Sequence, residues 1–473
     1  MPRIPCPSTA EEAARNERPS DYKPPSEAPI RLKVAVVGAG VGGLATAVAL
    51  RRDGHEVHVS EDAPALNELG AGIQVPPNSL TIMHKWGMEE AIKAKSVEPK
   101  HLWWKRWQDG KIIANTRYKP EFEENFGVPY RVIHRSHLHE ALHDKAVELG
   151  VKIHLGHTVA SYDPERPSMR FTNGREVFPD LLVAADGLKS TARQVITGER
   201  ISLRNHGFAA YRACVPVVEM KKNPLIAKSM DFESLCLWVG DQTHVMSYPI
   251  KNGEDWNLVI TVPEQREPCQ WSDHSKQSLS IMRSFYEGWD PTLIDILKLV
   301  KTTFKWPVQD IAPLPTYTAP SKRMLILGDA AHAMLPSMAA GASIAIEDAQ
   351  ALAQALHLIH SRRQLPEAIT TWESVRIPRA TAMQEASYRH MYTLHLPDGP
   401  QKRTRDRLME KEVNDEHFIA SPNQWSDPTT QRWAYLCDPA AEVRDAWEKR
   451  EAGRDEYVVA KGEEIYSMIS ARL

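Results

Sequence analysis

The chain has 473 residues, 42% apolar and 25% charged, with a net charge of −3. That length exceeds one small domain and allows two or three packed units. The balance supplies no basic surface for nucleic acid or an anionic membrane, and no apolar run approaches the roughly 20 residues that cross a bilayer.

The opening stretch MPRIPCPSTAEEAARNERPSDYKPPSEAP is Pro-rich and charged, with no hydrophobic centre. It lacks the form of a secretory signal, and residues 1–30 read as a disordered arm that buries too little apolar surface to offset the entropy of ordering. Order begins with RLKVAVVGAGVGGLATAVALRRDGHEVHVSE. Lys33 to Val37 is a β-branched strand ending in glycines. Leu44, Val48 and Leu50 among alanines form a helix that Gly54 stops, and Glu56 to Ser60 is a second strand. Gly38-Ala39-Gly40-Val41-Gly42-Gly43 between strand and helix is a G-x-G-x-x-G. Its glycines permit the tight turn, the approach of a pyrophosphate and the packing of helix on strand. Glu61, eighteen residues after Gly43, can accept hydrogen bonds from a ribose.

Residues His139 to His143 spell HEALH, which fits the H-E-x-x-H of zinc hydrolases. Leu138 and Leu142 define the buried face of this helix, which places His139 and His143 on a solvated flank. After Gly150 a strand, VKIHLG, follows where a zinc site needs a third ligand. Zinc catalysis is therefore not the expectation.

Apolar strands recur at Val151, Leu181 and Met324, separated by helical stretches, which predicts a parallel sheet assembled from distant pieces. Asp186 ends one of them in VAADGLKSTARQ, where it can face a ligand or, like Ser190, only cap a helix. Gly328-Asp329 ends another in LILGDAAHAMLPSMAAGASIAIEDAQAL, before Pro336 and a long helix whose N-terminus offers free N–H groups and partial positive charge. Between about 205 and 310, FAAYRACVPV, SLCLWV, THVMSYPI and WNLVITV read as an antiparallel sheet. LWWKRW, Trp103 to Trp107, either walls a pocket or packs. From Ala345 to Ile359 the spacing is helical. The tail from about 375 is helical and polar, with QKRTRDRLMEKEVNDE read as a solvated face. Cys6, Cys214, Cys236, Cys269 and Cys437 are scattered without a C-x-x-C and read as reduced thiols of an intracellular protein. The final Ala471-Arg472-Leu473 resembles a variant peroxisomal address, so the expected compartment is the cytoplasm or the peroxisome.

The G-x-G-x-x-G, the D-G-x-x-S-x-x-R from Asp186 to Arg193 and the G-D-A-A-H with its downstream Pro336 occur in an order and at separations that resemble the single-component FAD-dependent aromatic hydroxylases of the para-hydroxybenzoate hydroxylase type. The likeness runs from about 32 to 375. Within the family the chain looks most like salicylate hydroxylase-like enzymes, and GAGIQVPPNS, Gly70 to Ser79, resembles a flavin-side segment of that subgroup.

The resemblance implies an α/β protein: a discontinuous Rossmann-like FAD-binding domain (31–204 and 311–375), an inserted, mostly antiparallel β substrate domain (205–310, with parts of 75–130), and a C-terminal helical region (376–473). It implies FAD held by Gly38, Gly40, Gly43 and Glu61 at the ADP half, by Arg135, Asp186 and Asp329 about the pyrophosphate and ribitol, and by Gly72, Pro336, Gly341 and Ala342 near the ring. Ala339 stands where many members have Gly, which would narrow the flavin pocket. NADH or NADPH would bind transiently and reduce FAD, and O2 would give a flavin hydroperoxide that hydroxylates an electron-rich ring. Arg212 and Tyr248 are the expected substrate-side residues, against the alternatives of a surface ion pair and plain core packing. His332 is expected to be structural. The implied partners are a small aromatic substrate, NAD(P)H and O2, with neither nucleic acid nor membrane, in a monomer or homodimer. The alternatives are a flavin reductase or epoxidase on the same fold, and a flavin-binding partner protein without turnover.

Overall fold

Runs of β-branched and apolar residues without alternation belong in strands covered on both faces. KVAVV, LLVA and MLI form such strands in a five-stranded, fully parallel sheet ordered Met324–Ile326, Leu181–Ala184, Lys33–Val37, Glu56–Ser60, Lys152–His154. Leu181, Leu182, Leu325 and Ile326 are fully buried. The register joins distant pieces, with Val34 beside Leu181 and Leu182 beside Met324. The computed structural model describes residues 27–66, 71–264 and 276–452. Most of the expected N-terminal arm, Gly70, Cys6, Cys269 and the Ala471-Arg472-Leu473 ending lie outside the described residues. Among those described, no helix is long and apolar enough to cross a membrane.

The small-residue helix Val41–Arg52 packs between the helices Arg135–Glu148 and Gly341–His357. Its alanines and glycines allow that close approach.

A second, seven-stranded sheet runs in the order Phe304–Asp310, Arg204–Pro216, Asp255–Pro263, His244–Ile250, Leu235–Val239, His101–Arg106, Ile112–Arg117. It is antiparallel except where Leu235–Val239 lies parallel to His101–Arg106. Side chains alternate faces along each strand. Tyr211, Trp238, Leu258 and Ile260 enter a second core with Tyr286, Trp289, Leu293 and Ile296. Arg212, Val259 and Met246, directly opposite one another across three strands, take the other face. The tryptophans of LWWKRW pack: Trp103 stacks on His101 at 4.3 Å between centroids, Trp104 meets Trp425 edge-on at 6.1 Å, and Trp107 tilts against Trp289 at 5.5 Å.

The C-terminal part is helical, as Leu365–Leu394, Pro400–Val413, Pro428–Tyr435 and Pro439–Glu451. The segment QKRTRDRLMEKEVNDE is not the solvated face its composition suggests, because one side of its helix is buried. Lys402, Arg405, Met409 and Glu412 are buried, at helical spacing, against the strand Ile112–Arg117. Their burial escapes a hydropathy reading because their partners are polar: Lys402 pairs with Asp398 and Asp406, and the Arg405 guanidinium donates to the Thr393 carbonyl at 2.8 Å.

A charged cluster joins the two long helices. Glu347 and Asp348, both essentially without exposure, meet Arg376 and Arg379 at 2.8–2.9 Å. Burial pushes both carboxyls up, but the opposing cations outweigh it and hold them below their ordinary values, Asp348 at about 2. Replacing Arg376 with Met would leave two buried carboxylates short of a partner. The expected cost is about 3–5 kcal/mol, read as a large fall in the denaturation midpoint or as loss of soluble protein.

Candidate functional site

The turn after Lys33–Val37 depends on absent side chains. Gly38 has φ +95°, and a Cβ there would lie 2.4 Å from the Ala185 carbonyl oxygen; one on Gly43 would lie 1.9 Å from the Gly38 oxygen. The peptide of Ala39 is gripped at both ends. Its N–H donates to Glu61 Oε2 at 2.7 Å, and its carbonyl accepts from His139 Nε2 at 2.6 Å. His139 is therefore buried against the glycine-rich loop, contrary to the expected solvated flank, while His143 contacts its neighbour Asp144 at 3.1 Å. A flank position was the natural reading because Leu138 and Leu142 already fill the core side. It could not show that the loop folds back over that flank.

A cleft of about 510 Å³ lies over this loop, lined by Gly38, Gly40, Glu61, His139, Tyr162 and Asp186. Asp186 and Ser190 both act as caps: Asp186 Oδ2 accepts from the N–H groups of Thr191 (3.0 Å) and Ala192 (3.2 Å), and Ser190 Oγ accepts from that of Arg193 (2.9 Å). Yet Asp186 Oδ1 is buried without a protein partner. Such a carboxylate oxygen calls for a donor such as a ribose hydroxyl. Arg193, almost fully buried, donates to the carbonyls of Leu188 (2.6 Å), Ala330 (3.0 Å) and Asp329 (3.3 Å). It thereby ties the second motif to the third, a role that sequence spacing alone did not reveal.

Gly40, Ala185 and Gly187 also line a second cleft of about 350 Å³, so the two clefts adjoin. Its walls bring together Gly72, Arg135, Arg212, Tyr248, Asp329, Pro336, Gly341 and Ala342. Of the expected residues, Gly43 lines neither cleft and acts beneath the loop. The helix Gly341–His357 starts at the cleft wall with no side chain capping its N-terminus. It thus turns unsatisfied N–H groups and partial positive charge toward the cleft. The Asp329 side chain is exposed, and His332 is bound to Asp348 at 2.6 Å, away from any reacting position. Ala339 lies in the left-handed region with φ +53°, a conformation that suits Gly.

Gly72 donates its N–H to Asn257 Oδ1 at 2.7 Å, and a Cβ on it would strike the Tyr248 ring at 2.4 Å. Glycine there lets the strand Gly72–Val75 reach the seven-stranded sheet. Arg212 has no carboxylate partner among the described residues. Its guanidinium lies over the Trp306 ring at 5.8 Å, and its Nε is without an acceptor. Burial lowers its pKa, but an arginine stays protonated. Burial raises the Tyr248 hydroxyl above its ordinary value against the opposing pull of Arg212, so it remains a neutral donor. The adjoining clefts, one over a glycine-rich loop with a carboxylate at its edge and the other between a helix N-terminus and an unpaired cation, fit a long dinucleotide beside a small anionic molecule.

A family described as FAD binding domain matches residues 31–387. The FAD-dependent monooxygenase OpS4 of Beauveria bassiana (strain ARSEF 2860) is 31% identical over 414 residues, covering 87% of this chain and 96% of that protein. The 3-hydroxybenzoate 6-hydroxylase of Polaromonas naphthalenivorans (strain CJ2) is 32% identical over 388 residues, covering 81% and 93%. The crystal structure of CtdE in complex with FAD and a substrate superposes with a TM-score of 0.76 at 21% identity, covering 93% of this chain and 100% of that one. A salicylate hydroxylase substrate complex superposes with a TM-score of 0.70 at 24% identity, covering 88% and 98%.

Two substitutions test the loop and the helix entry. His139→Leu removes one hydrogen bond to the Ala39 carbonyl, worth about 1 kcal/mol. It is expected to weaken FAD binding roughly fivefold, measured by fluorescence titration of protein stripped of flavin. Ala339→Gly relieves a left-handed alanine at a gain of about 1 kcal/mol, and thermal unfolding should shift upward by ~2 °C.

Proposed function

The chain belongs to the FAD-binding family of FAD-dependent monooxygenases, and we propose that it hydroxylates a small aromatic molecule whose ionised oxygen is held by Arg212. The single observation that carries the substrate side is that half-buried guanidinium, which faces the cleft with no carboxylate paired to it among the described residues and with its Nε lacking an acceptor. Gly38, Gly40 and Glu61 hold the ADP half of FAD, with Gly43 supporting the turn. Arg135, Asp186 and Asp329 serve the pyrophosphate and ribitol, and Gly72, Pro336, Gly341 and Ala342 surround the ring. The fit rests on the unpartnered Asp186 Oδ1, the uncapped helix at Gly341 and the side-chain-free turn at Gly38. In the same reading, 31–204 with 311–375 form the FAD-binding part, and 205–310 with parts of 75–130 form the substrate part.

Bound FAD supplies the redox chemistry that activates O2. The chain's own residues prepare the substrate. A cation beside a phenol lowers the pKa of its oxygen and favours phenolate, which enriches the ring in electrons. Tyr248, kept neutral, donates a hydrogen bond to the same oxygen and fixes the ring's orientation. Met246, Val259 and Leu335 exclude water from the cleft. Overall an aromatic C–H becomes C–OH, the second oxygen atom leaves as water, and NADH or NADPH supplies the two electrons, with one further proton taken up.

Denaturing the purified protein should release FAD. Salicylates, resorcinols and indoles are to be screened for faster NAD(P)H oxidation, with mass spectrometry for a product heavier by one oxygen. Oxidation without an oxygenated product would point to a reductase, and bound FAD without any oxidation to a partner protein. Arg212→Ala should lower kcat/KM at least tenfold and divert turnover to hydrogen peroxide while FAD content is retained. Loss of FAD with coupling kept would overturn the role given to Arg212.

A further inference from the structure

We propose that the chain beyond the shared family domain, acting through Trp425, makes the far end of the substrate cleft a site for an apolar substituent. The substrate is then an aromatic ring that carries an alkyl or aryl group away from its ionised oxygen. This inference rests on the aromatic-hydroxylase reading and narrows it.

The floor of the cleft is one face of the seven-stranded sheet, and its register orders the side chains. Tyr248 lies opposite Asn257, Met246 opposite Val259 and Arg212, and His244 opposite Thr261. From Tyr248 to His244 is four residues along one strand, or about 13 Å at ~3.3 Å per residue. That is longer than a single benzene ring. The charged residues lining the cleft keep to the helix-entry end and the middle: Asp329 beside Gly341, Arg135, and Arg212 level with Met246.

The other end is uncharged. Met391, Leu394 and Trp425 close it with 3%, 1% and 2% of their surfaces accessible. His244 is neutral there because burial pushes its pKa down to about 3, and its Nδ1 is engaged with His395 Nε2 at 2.7 Å. An ionised substituent would find no counter-charge at this end, whereas an apolar one would leave water without stranding a charge.

The closing residues lie outside the family match, which ends at 387. They are nonetheless firmly built in. The N–H of Trp425 donates to Asn423 Oδ1 at 3.1 Å, and Asn423 Nδ2 reaches Glu412 Oε2 at 2.9 Å and Thr116 Oγ1 at 3.1 Å. The Trp425 ring stands edge-on to His390 with centroids 4.5 Å apart. A wall held in this way selects by shape, because it does not yield to a misfit.

The test compares resorcinol with 5-pentylresorcinol on the FAD-loaded full chain. The ratio of their kcat/KM values should favour the pentyl compound at least tenfold. Trp425→Ala, which removes the packing surface, and Leu394→Phe, which fills the far end, should each lower that ratio tenfold or more, with FAD content confirming intact protein. Dissociation constants of both compounds, from the change in flavin absorbance, should follow the same order. A wild-type preference near one, or a preference untouched by both variants, overturns the proposal while leaving the hydroxylase reading standing. Tighter binding of the pentyl compound, lost in the variants but without turnover of any aromatic, keeps the apolar site and removes the hydroxylase reading.

Discussion

Two adjacent acids, Glu347 and Asp348, project from one helix into space that water does not reach, and Arg376 spans them. Each carboxylate also holds a different part of the protein. Glu347 accepts from Asn78 at 2.7 Å, which secures the segment after Gly72–Val75; Asp348 accepts from the N–H of Gly328 at 3.2 Å and from His332 at 2.6 Å, which secures the end of the strand that leads to Asp329. The charges of this cluster offset one another without solvent, so removing one member costs far more than the whole is worth. The cleft walls at Gly72 and Asp329 are thus set by a polar framework behind them. Arg193 repeats the device on a smaller scale between Leu188 and Ala330.

The cleft itself is an electrostatic gradient. Helix N-terminal N–H groups, Asp329 and Arg135 stand toward the helix entry, Arg212 in the middle, and neutral aromatic and aliphatic groups at the far end. A strand Arg at a protein surface would have found a carboxylate. Arg212 instead lies over Trp306, which leaves its full charge to whatever enters.

Much of the fold was legible because its signals are local. The apolar runs at Lys33, Leu181 and Met324 begin strands at those residues, and the helical spacing from Ala345 falls in the helix Gly341–His357 except for Ile359, which lies just past its end. The glycine motif and Glu61 converge at one turn, as their spacing implied. What stayed hidden depends on contacts made at long range by residues of unexpected character. His139 is polar and off the apolar stripe, yet the glycine-rich loop covers it. Glu412 and Arg405 are ionisable, yet they are buried because Ser421, Asn423 and Thr393 supply their hydrogen bonds, and burial pushes the Glu412 carboxyl up to about 7. Trp425 sits in a polar tail, and nothing adjacent in sequence indicates that it closes a cavity formed by strands nearly two hundred residues earlier.

The pairing of Leu182 with Met324 has a consequence for how the molecule is made. A ribosome delivers the glycine-rich turn early, but the last strand of the parallel sheet and the helix at Gly341 only much later. The cleft that Gly40 and Gly341 share has no far wall until then. Closing so long a stretch of chain is entropically slow, and the half-built sheet meanwhile exposes the strand edge that Met324–Ile326 will cover. During translation that edge is the part of the nascent protein most in need of shelter from other chains.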